Sequence, residues 1–431
     1  MMHMIFDLQR FAAGGGALTN TTTQYVNSYT GDATAFSGSN TLTPENKTFY
    51  DTALLENAKP EMVHNQFGKK QNLPRNSGKT VEWRKFNTLA NASQLTEGVI
   101  PTGQKLGVSA MTDSIEQFGT YVSVSDILDL TAIDPVVMEA QVELSASAGR
   151  TQDELARNDL VTGTNVLYAQ KTSGGALVDV TSRSGLDMTA VLTPDTVKRA
   201  RTKLKKLHAP TMSDGKYVAI IHPSVAYDLT SHKDWIEYHK YAATKEIFAG
   251  EIGELDGVRF VESTQAKVFR GEDLASDSRT LAVNAADGLS GATTIPFDGG
   301  TVAQGALVGR KLLIGTQVVT VVSNTASAIT VASADAVTCA DNTVIYPGEG
   351  GATGLAVYAT LFLGKEAYGT IDLQGGGLQM IIHSAEEAGG PLNQFSTIGY
   401  KLTTNGAKIL YEDRMVRVES CSAYSNDDVA N

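Results

Sequence analysis

Between residues 272 and 350 the chain becomes poorer in charge and rich in Val, Thr, Ala and Gly. Runs such as TTIPF, KLLIG, QVVTVVSN and AITVAS alternate with Gly and Asn/Asp turns. That is the pattern of several short strands and of a small all-β unit. The flanks read differently. VRFVES before it and GLAVYATLFLGKEAYGTI after it belong to an αβ pattern that stops at the first boundary and resumes at the second. This predicts a β-domain, 272–350, inserted into a surface loop of an αβ host.

The host has room for more than one core: 431 residues suit two or three domains, and 42% hydrophobic against 19% charged residues is a globular balance. A formal net charge of -12 lacks the basic excess of a sequence-tolerant nucleic-acid binder. It suits a protein that stays soluble at high concentration and does not adhere to nucleic acid nearby. Cys339 and Cys421 are the only cysteines and form no CxxC pair, so neither a thiolate zinc cage nor a disulfide framework is expected, and synthesis in the cytosol is. No apolar run is long enough to span a bilayer. The opening MMHMIFDLQRFAAGGGALTN is broken by Asp7, Gln9 and Arg10, which denies it the apolar centre of a signal peptide. With Gly14 to Gly16 and the Thr/Asn/Ser-rich stretch after it, it reads as a flexible arm.

Thr43-Pro44-Glu45 is an N-cap followed by proline at the first helical position, and a helix carrying Phe49, Leu54 and Leu55 follows. From Gly78 the pattern turns strand-like. TVEWRKF and GTYVSVS alternate polar and apolar residues but stand more than twenty residues apart, which predicts an extended β-loop rather than a tight hairpin. Asp134-Pro135 opens a helix that could reach Gly163, with Val137, Leu144, Leu155 and Leu160 near one face. At 1.5 Å per residue it would be roughly 40 Å long, with Gly149 a place for a bend. Thr193-Pro194-Asp195 opens another helix, and the strand KYVAII, a short helix from Pro223 and the aromatic segment DWIEYHKYAATKEIF come next.

Tests for chemistry mostly fail. NSGKT at 76–80 resembles the end of a phosphate-binding loop, but the glycine required five residues before Gly78 is Leu73, and a strand follows. Gly250, Gly253 and Gly257 in GEIGELDGVRFVES are spaced like a phosphate cradle. Glu251, Glu254 and Asp256 between them would repel the phosphate, so a tight turn into a strand fits better. Those acids also lack the spacing of a calcium loop. The seven histidines (His3, His64, His208, His222, His232, His239, His383) form no HExxH, and packing or hydrogen bonding is the expectation for each. No catalytic residue, metal ligand or cofactor site is predicted.

One segment runs against the acidic total. VKRARTKLKKL places Lys198, Arg199, Arg201, Lys203, Lys205 and Lys206 around an apolar stripe of Val197, Ala200, Leu204 and Leu207. Two readings stay open: a face meeting nucleic acid or an acidic partner, and a soluble helix whose C-terminal lysines favour its dipole.

The order of these parts resembles the tailed-bacteriophage major capsid proteins of the Hong Kong 97 fold. GEIGELDGVRFVES, HPSVAYDL, GKEAYGTIDL and GGPLNQFSTIGYKLTTNGAKILYEDRMVRVES look like recurring segments of one branch, and FDLQRFA resembles the start of many phage structural proteins. The resemblance implies an α+β fold with a flexible arm (1–42), a helical arm segment (43–68) and an extended β-loop (69–120). A peripheral domain with a spine helix (121–214), an axial domain in two parts (215–271 and 351–395) and a return to the peripheral domain (396–431) flank the β-insert. It implies a shell subunit, not an enzyme, that forms hexamers and pentamers around packaged DNA in the virion after assembly in the host cytoplasm. Trp83, Arg84, Lys85 and Phe86 would then lie at inter-subunit contacts. The basic helix would face inward, and Gly250, Gly253 and Gly257 would form an inter-domain turn. Other expected partners are a portal, a separate scaffolding protein and auxiliary or decoration proteins on the insert; no lysine–asparagine crosslink and no membrane are expected. A same-fold bacterial nanocompartment shell, and a host- or carbohydrate-binding phage protein acting through the insert, are the alternatives.

Overall fold

The computed structural model describes residues 17–18, 63–92, 94, 97, 100, 103–131, 136–233, 235, 251–374, 377–384 and 394–431. Apart from Ala17–Leu18, the expected arm and the helical segment up to Met62 lie outside these residues, as does DWIEYHKYAATKEIF except for Trp235. The chain forms two bodies: 1–159 with 368–410, and 160–367 with 411–431.

In the first body, Glu116–Ser125 runs antiparallel to Phe395–Thr404 from Glu116↔Thr404 to Ser125↔Phe395. Gln379–His383 adds one edge and Ala17–Leu18 the other, the latter parallel to Ser123 and Val124. Helix α1 (Asp126–Thr131) follows the long strand, and α2 (Val136–Val161) follows α1. The 26 residues of α2 span about 39 Å and continue through Gly149 without interruption. Its buried residues Leu144, Ala148, Ala156 and Leu160 fall at multiples of four, one stripe of a helix. Leu144 and Ala148 pack against Leu378, Met380, Ile398, Tyr400 and Leu402 of the sheet side.

The adjacent row, one residue on, buries two charged residues, Asp153 and Arg157. His64, also buried, donates its backbone N–H to Asp153 Oδ1 at 2.7 Å and places Nδ1 2.7 Å from Oδ2. The Tyr368 hydroxyl donates to the His64 carbonyl. Tyr368 opens the strand Tyr368–Leu373, which is flanked by Lys69–Leu73 in parallel and by Lys408–Ile409 in antiparallel register.

TVEWRKF and GTYVSVS lie in different sheets. Thr80–Phe86 forms an antiparallel hairpin with Val108–Ser114, while GTYVSVS belongs to the long Glu116–Ser125 strand. Val108–Ser114 reads as a polar excursion because no residue in it is buried, so it carries no apolar alternation.

The second body is built on a mixed sheet of strand order Glu251–Leu255, Val258–Glu262, Tyr217–Ile221, Val357–Leu363, Met415–Ser420, Val166–Tyr168, with Val268–Phe269 pairing to Val357–Leu363. Every residue of the two central strands, Tyr217–Ile221 and Val357–Leu363, is buried, which is why both read as continuous apolar runs. Helices α3 (Pro194–Lys206) and α4 (Pro223–Ser231) contribute Val197, Ala200, Leu204, Val225 and Leu229 to the core beside this sheet.

The low-charge stretch forms a closed six-stranded barrel: Leu281–Val283, Thr294–Asp298, Ala328–Val331, Gln317–Asn324, Lys311–Ile314 and Val344–Pro347. Its core is its own, with Val283, Ile295, Leu312, Ile329 and Ile345 fully buried. The first and last strands pair with each other, so the chain leaves and rejoins the sheet at one place. Arg279 clamps that neck by donating Nη2 to the carbonyls of Arg270 at 2.9 Å and Gly354 at 3.0 Å.

Candidate assembly and nucleic-acid surfaces

Burial along Thr80–Phe86 alternates, and only Trp83 is buried. Its ring lies over Gly369, where an added Cβ would stand 3.2 Å from Trp83 Cζ2. Trp83 therefore anchors the middle of the hairpin strand against Gly369 of its own chain. It points to the opposite face of the strand from Arg84. Arg84 and Glu82, two residues apart on the open face, are joined at 2.6 Å, and this hydrogen bond raises the guanidinium pKa further. Lys85 is half-buried. Phe86, at the end of the ladder, is 65% exposed.

Beyond Phe86 the hairpin continues as an open loop, tied by Asn87 N–H to Gly107 O at 2.9 Å and Gln104 Nε2 to Ala90 O at 3.0 Å. Leu89, Ile100, Leu106 and Val108 are each more than half exposed, and Ile100 reaches 93%. Exposed large apolar side chains thus recur along residues 86–108. The early part of α2 also turns Met138 (66% exposed) and Val142 (51%) outward, four residues apart and so on one face.

Helix α3 begins where the sequence placed it: Thr193 Oγ1 accepts from Thr196 N–H at 3.3 Å, and Pro194 takes the first helical position. Val197, Ala200 and Leu204 face the core, whereas Leu207 is exposed. Its six cations divide by flank. Arg201 donates to Asp256 at 2.7 Å and Arg199 to Asp179 at 2.8 Å. Lys203 donates to the Val166 carbonyl at 2.9 Å, and its burial lowers its pKa. Lys198, Lys205 and Lys206 are exposed. A shallow groove of about 490 Å³ runs beside the helix, lined by Leu167, Lys198, Arg199, Thr202, Lys203 and Lys206, with Asp195 at one end.

Gly250 lies outside the described residues. Gly253, with φ of 150°, sits at an irregularity in the pairing of Glu251–Leu255 with Val258–Glu262. Asp256 and Gly257 are the two turn residues of that hairpin, with φ of 52° and 73°. Positive φ at both central positions is the hairpin geometry that Asp-Gly favours. The turn at Gly257 joins neighbouring strands of one sheet. Two of the three acids in this segment are paired with cations: Lys216 reaches Glu254 at 2.5 Å and Arg201 reaches Asp256.

Among the described residues, no three or more His, Cys, Asp or Glu side chains are grouped to hold a metal ion, and no helix is long and apolar enough to cross a membrane. Cys339 and Cys421 are free, and burial pushes the Cys421 thiol up to about 12. His222 caps α4 by accepting from Ser224 N–H, so one histidine at least has a capping role.

The described surfaces thus include exposed apolar side chains along 86–108, Met138 and Val142 on α2, and a groove lined by cations beside α3. The family model for phage capsid proteins matches residues 54–346, and the chain belongs to that family. It is a structural protein of the phage capsid, not an enzyme. Solved structures similar to it include the capsid of Ralstonia phage GP4, at 12% identity over 86% of this chain and 90% of that one, with a TM-score of 0.49. The capsid asymmetric unit of cyanophage Pam1 is similar at 13% identity over 85% and 92%, also with a TM-score of 0.49. The capsid of cyanophage P-SCSP1u is similar at 13% identity over 84% and 88%, with a TM-score of 0.46. No curated protein matches the chain.

Proposed function

We propose that this chain is the major capsid protein of a tailed bacteriophage, with a Hong Kong 97-type fold. Many copies form the hexamers and pentamers of an icosahedral shell around packaged double-stranded DNA. Membership of the phage capsid family over residues 54–346 carries this reading. The apolar loop supports it physically. Phe86, Leu89, Ile100, Leu106 and Val108 leave a hydrophobic surface uncovered in the single chain, and a second copy offers Met138 and Val142 on α2 to receive it. The hairpin is the extended loop of the shell subunit in this reading, and α2 its spine helix.

The barrel is an inserted domain on the outer side of the shell, where auxiliary proteins would meet it. Its only basic residues, Arg279, Arg310 and Lys311, lie toward the neck: Arg279 and Arg310 donate to backbone carbonyls between 270 and 273 or at Gly354, and Lys311 N–H faces Glu349. The rest of the barrel's charge is acidic, a poor surface for packaged DNA. A separate scaffolding protein and a portal complete the assembly set. Electron microscopy of the chain co-expressed with its scaffolding protein tests the reading. Closed shells are expected, and a chain that stays monomeric under all such conditions overturns it.

A further inference from the structure

We propose that the groove between α3 and the edge strand Val166–Tyr168 is a binding site for the phosphodiester backbone of nucleic acid, contacted through Lys198, Arg199, Lys203 and Lys206. The proposal rests on the reading that this chain encloses DNA, and it specifies where and how the inner surface would touch it.

The groove exists because the sheet ends. Val166–Tyr168 is the last strand in its order, so no further strand covers that flank of α3. Leu167, half-buried against the core, forms the floor. Residues 198, 199, 202, 203 and 206 recur at one-turn spacing, which puts them along one side of the helix.

The charge on that side is not neutralised. Four cations line the groove against one carboxylate, Asp195, which sits in the first helical turn where it complements the dipole. Lys198 and Lys206 have no carboxylate partner among the described residues. Lys203 is held by a neutral carbonyl rather than a carboxylate, and Arg199 shares only Asp179, an exposed residue. Outside the groove Arg201 is paired with Asp256, and Lys205 stands exposed on the other flank, so the groove gathers two of the helix's three exposed lysines, Lys198 and Lys206. In a chain with net charge -12 this concentration stands against the background.

Spacing selects the ligand. Lys198 and Lys206 are eight residues apart, about 12 Å along the axis, and one strand of duplex DNA carries a charge about every 3.4 Å. About three phosphates therefore face the cations. Thr202 is the one neutral polar side chain in the lining, so the site holds backbone and reads no sequence. An acidic peptide is less well served. An extended peptide would add to the strand edge, but that strand is three residues long and Lys203 already occupies its Val166 carbonyl.

The test is fluorescence anisotropy of the full chain with a labelled duplex of about 20 base pairs, titrated between about 50 and 200 mM salt. The Lys198→Gln/Lys206→Gln variant is expected to bind roughly 10- to 60-fold more weakly near 0.1 M salt, with a salt slope shallower by about 1.8. Lys205→Gln, on the same helix but outside the groove, serves as the control and should retain wild-type binding. Equal losses in the two variants, or wild-type protein that ignores the duplex but binds a polyglutamate peptide, overturn the proposal. A separate arm treats closed shells with an amine reagent too large to enter. Protection of Lys206 supports the inward orientation. Reaction there, with duplex binding by the subunit intact, overturns the enclosed-DNA reading and leaves the groove as a phosphate site.

Discussion

Arg183 grips the fully buried carboxylate of Glu419 through two parallel hydrogen bonds, Nε to Oε2 and Nη2 to Oε1, each 2.7 Å long. Arg417 adds a third donor at 2.9 Å, and the Arg183 guanidinium stacks 3.4 Å from the centre of the Phe269 ring. The carboxylate joins the Met415–Ser420 strand to the segment before α3 and to Val268–Phe269. Glu419→Gln keeps the volume but aims an amide N–H₂ at two guanidinium groups. Breaking one partner of a buried ion pair leaves the others unpaired and costs about 3 to 5 kcal/mol. Denaturant unfolding of the subunit should show that loss, and a change below 1 kcal/mol would mean the site is more hydrated than its burial implies.

The last ten residues are fastened in a way that depends on pH. Asp428 accepts from Tyr358 OH at 2.7 Å, Ser224 Oγ at 2.9 Å and Ser425 Oγ at 2.6 Å. Burial pushes the Asp428 carboxyl up, but these hydrogen bonds outweigh it and hold the group below the ordinary carboxylate range. His222, whose ring lies 4.9 Å from that of Tyr358, is pushed down by burial against the opposing pull of Asp428. For His222 the unfolded chain binds a proton below about pH 6.5 that the folded chain refuses, so stability falls as the pH drops from there to the lowered native value. Asp428 adds a second loss below about pH 3.8, as its carboxylate is protonated through a still lower native value. Each group contributes a slope of at most about 1.4 kcal/mol per pH unit. His222→Asn retains a capping acceptor and removes the titration. Stability measured from pH 7 to 5 should flatten in this variant, and an unchanged slope would assign the acid sensitivity elsewhere.

The sequence was most legible where local chemistry agrees with tertiary packing. Thr193-Pro194 starts α3 on a cap that needs only its neighbours, and the Val197, Ala200, Leu204 stripe packs as its period requires. The barrel was legible because β-branched runs and glycine turns repeat over a charge-poor stretch. The packing of Trp83 was not legible, because a tryptophan in an exposed-looking hairpin gives no local sign of Gly369, nearly three hundred residues away. Val108–Ser114 was missed because a strand with no buried residue lacks a period to detect. The groove was half visible. The six cations were evident, but their division depends on Asp256, Asp179 and the Val166 carbonyl, all supplied by distant segments.

Gly257 tests the hairpin turn directly. An added Cβ there meets only Arg201 atoms at 3.8 Å, so space is not the constraint. Its φ of 73° is. Gly257→Ala should cost about 1 to 2 kcal/mol from left-handed strain alone, whereas Gly257→Asn, which tolerates that region, should cost less. Thermal unfolding of the two variants gives the ranking. Equal destabilisation would show that the strand pairing, rather than the turn geometry, sets the cost.

The apolar loop separates assembly from folding. Phe86 is 65% exposed and Leu106 54%, so neither contributes much to the core of its own subunit. Phe86→Asp and Leu106→Asp should change subunit stability by no more than about 0.5 kcal/mol, as surface substitutions do. If a second copy covers this loop, the same changes bury a carboxylate against apolar side chains at every repeat of the contact, a cost of several kcal/mol per charge. Sedimentation of co-expressed shells is therefore expected to shift from closed particles to small oligomers, while the melting temperature of isolated subunits stays near that of the wild type. Met138→Asp on α2 should produce the same assembly defect if that helix receives the loop. Normal shells from all three variants would leave the loop uncovered in the particle and remove the hairpin-on-helix contact from the account of assembly.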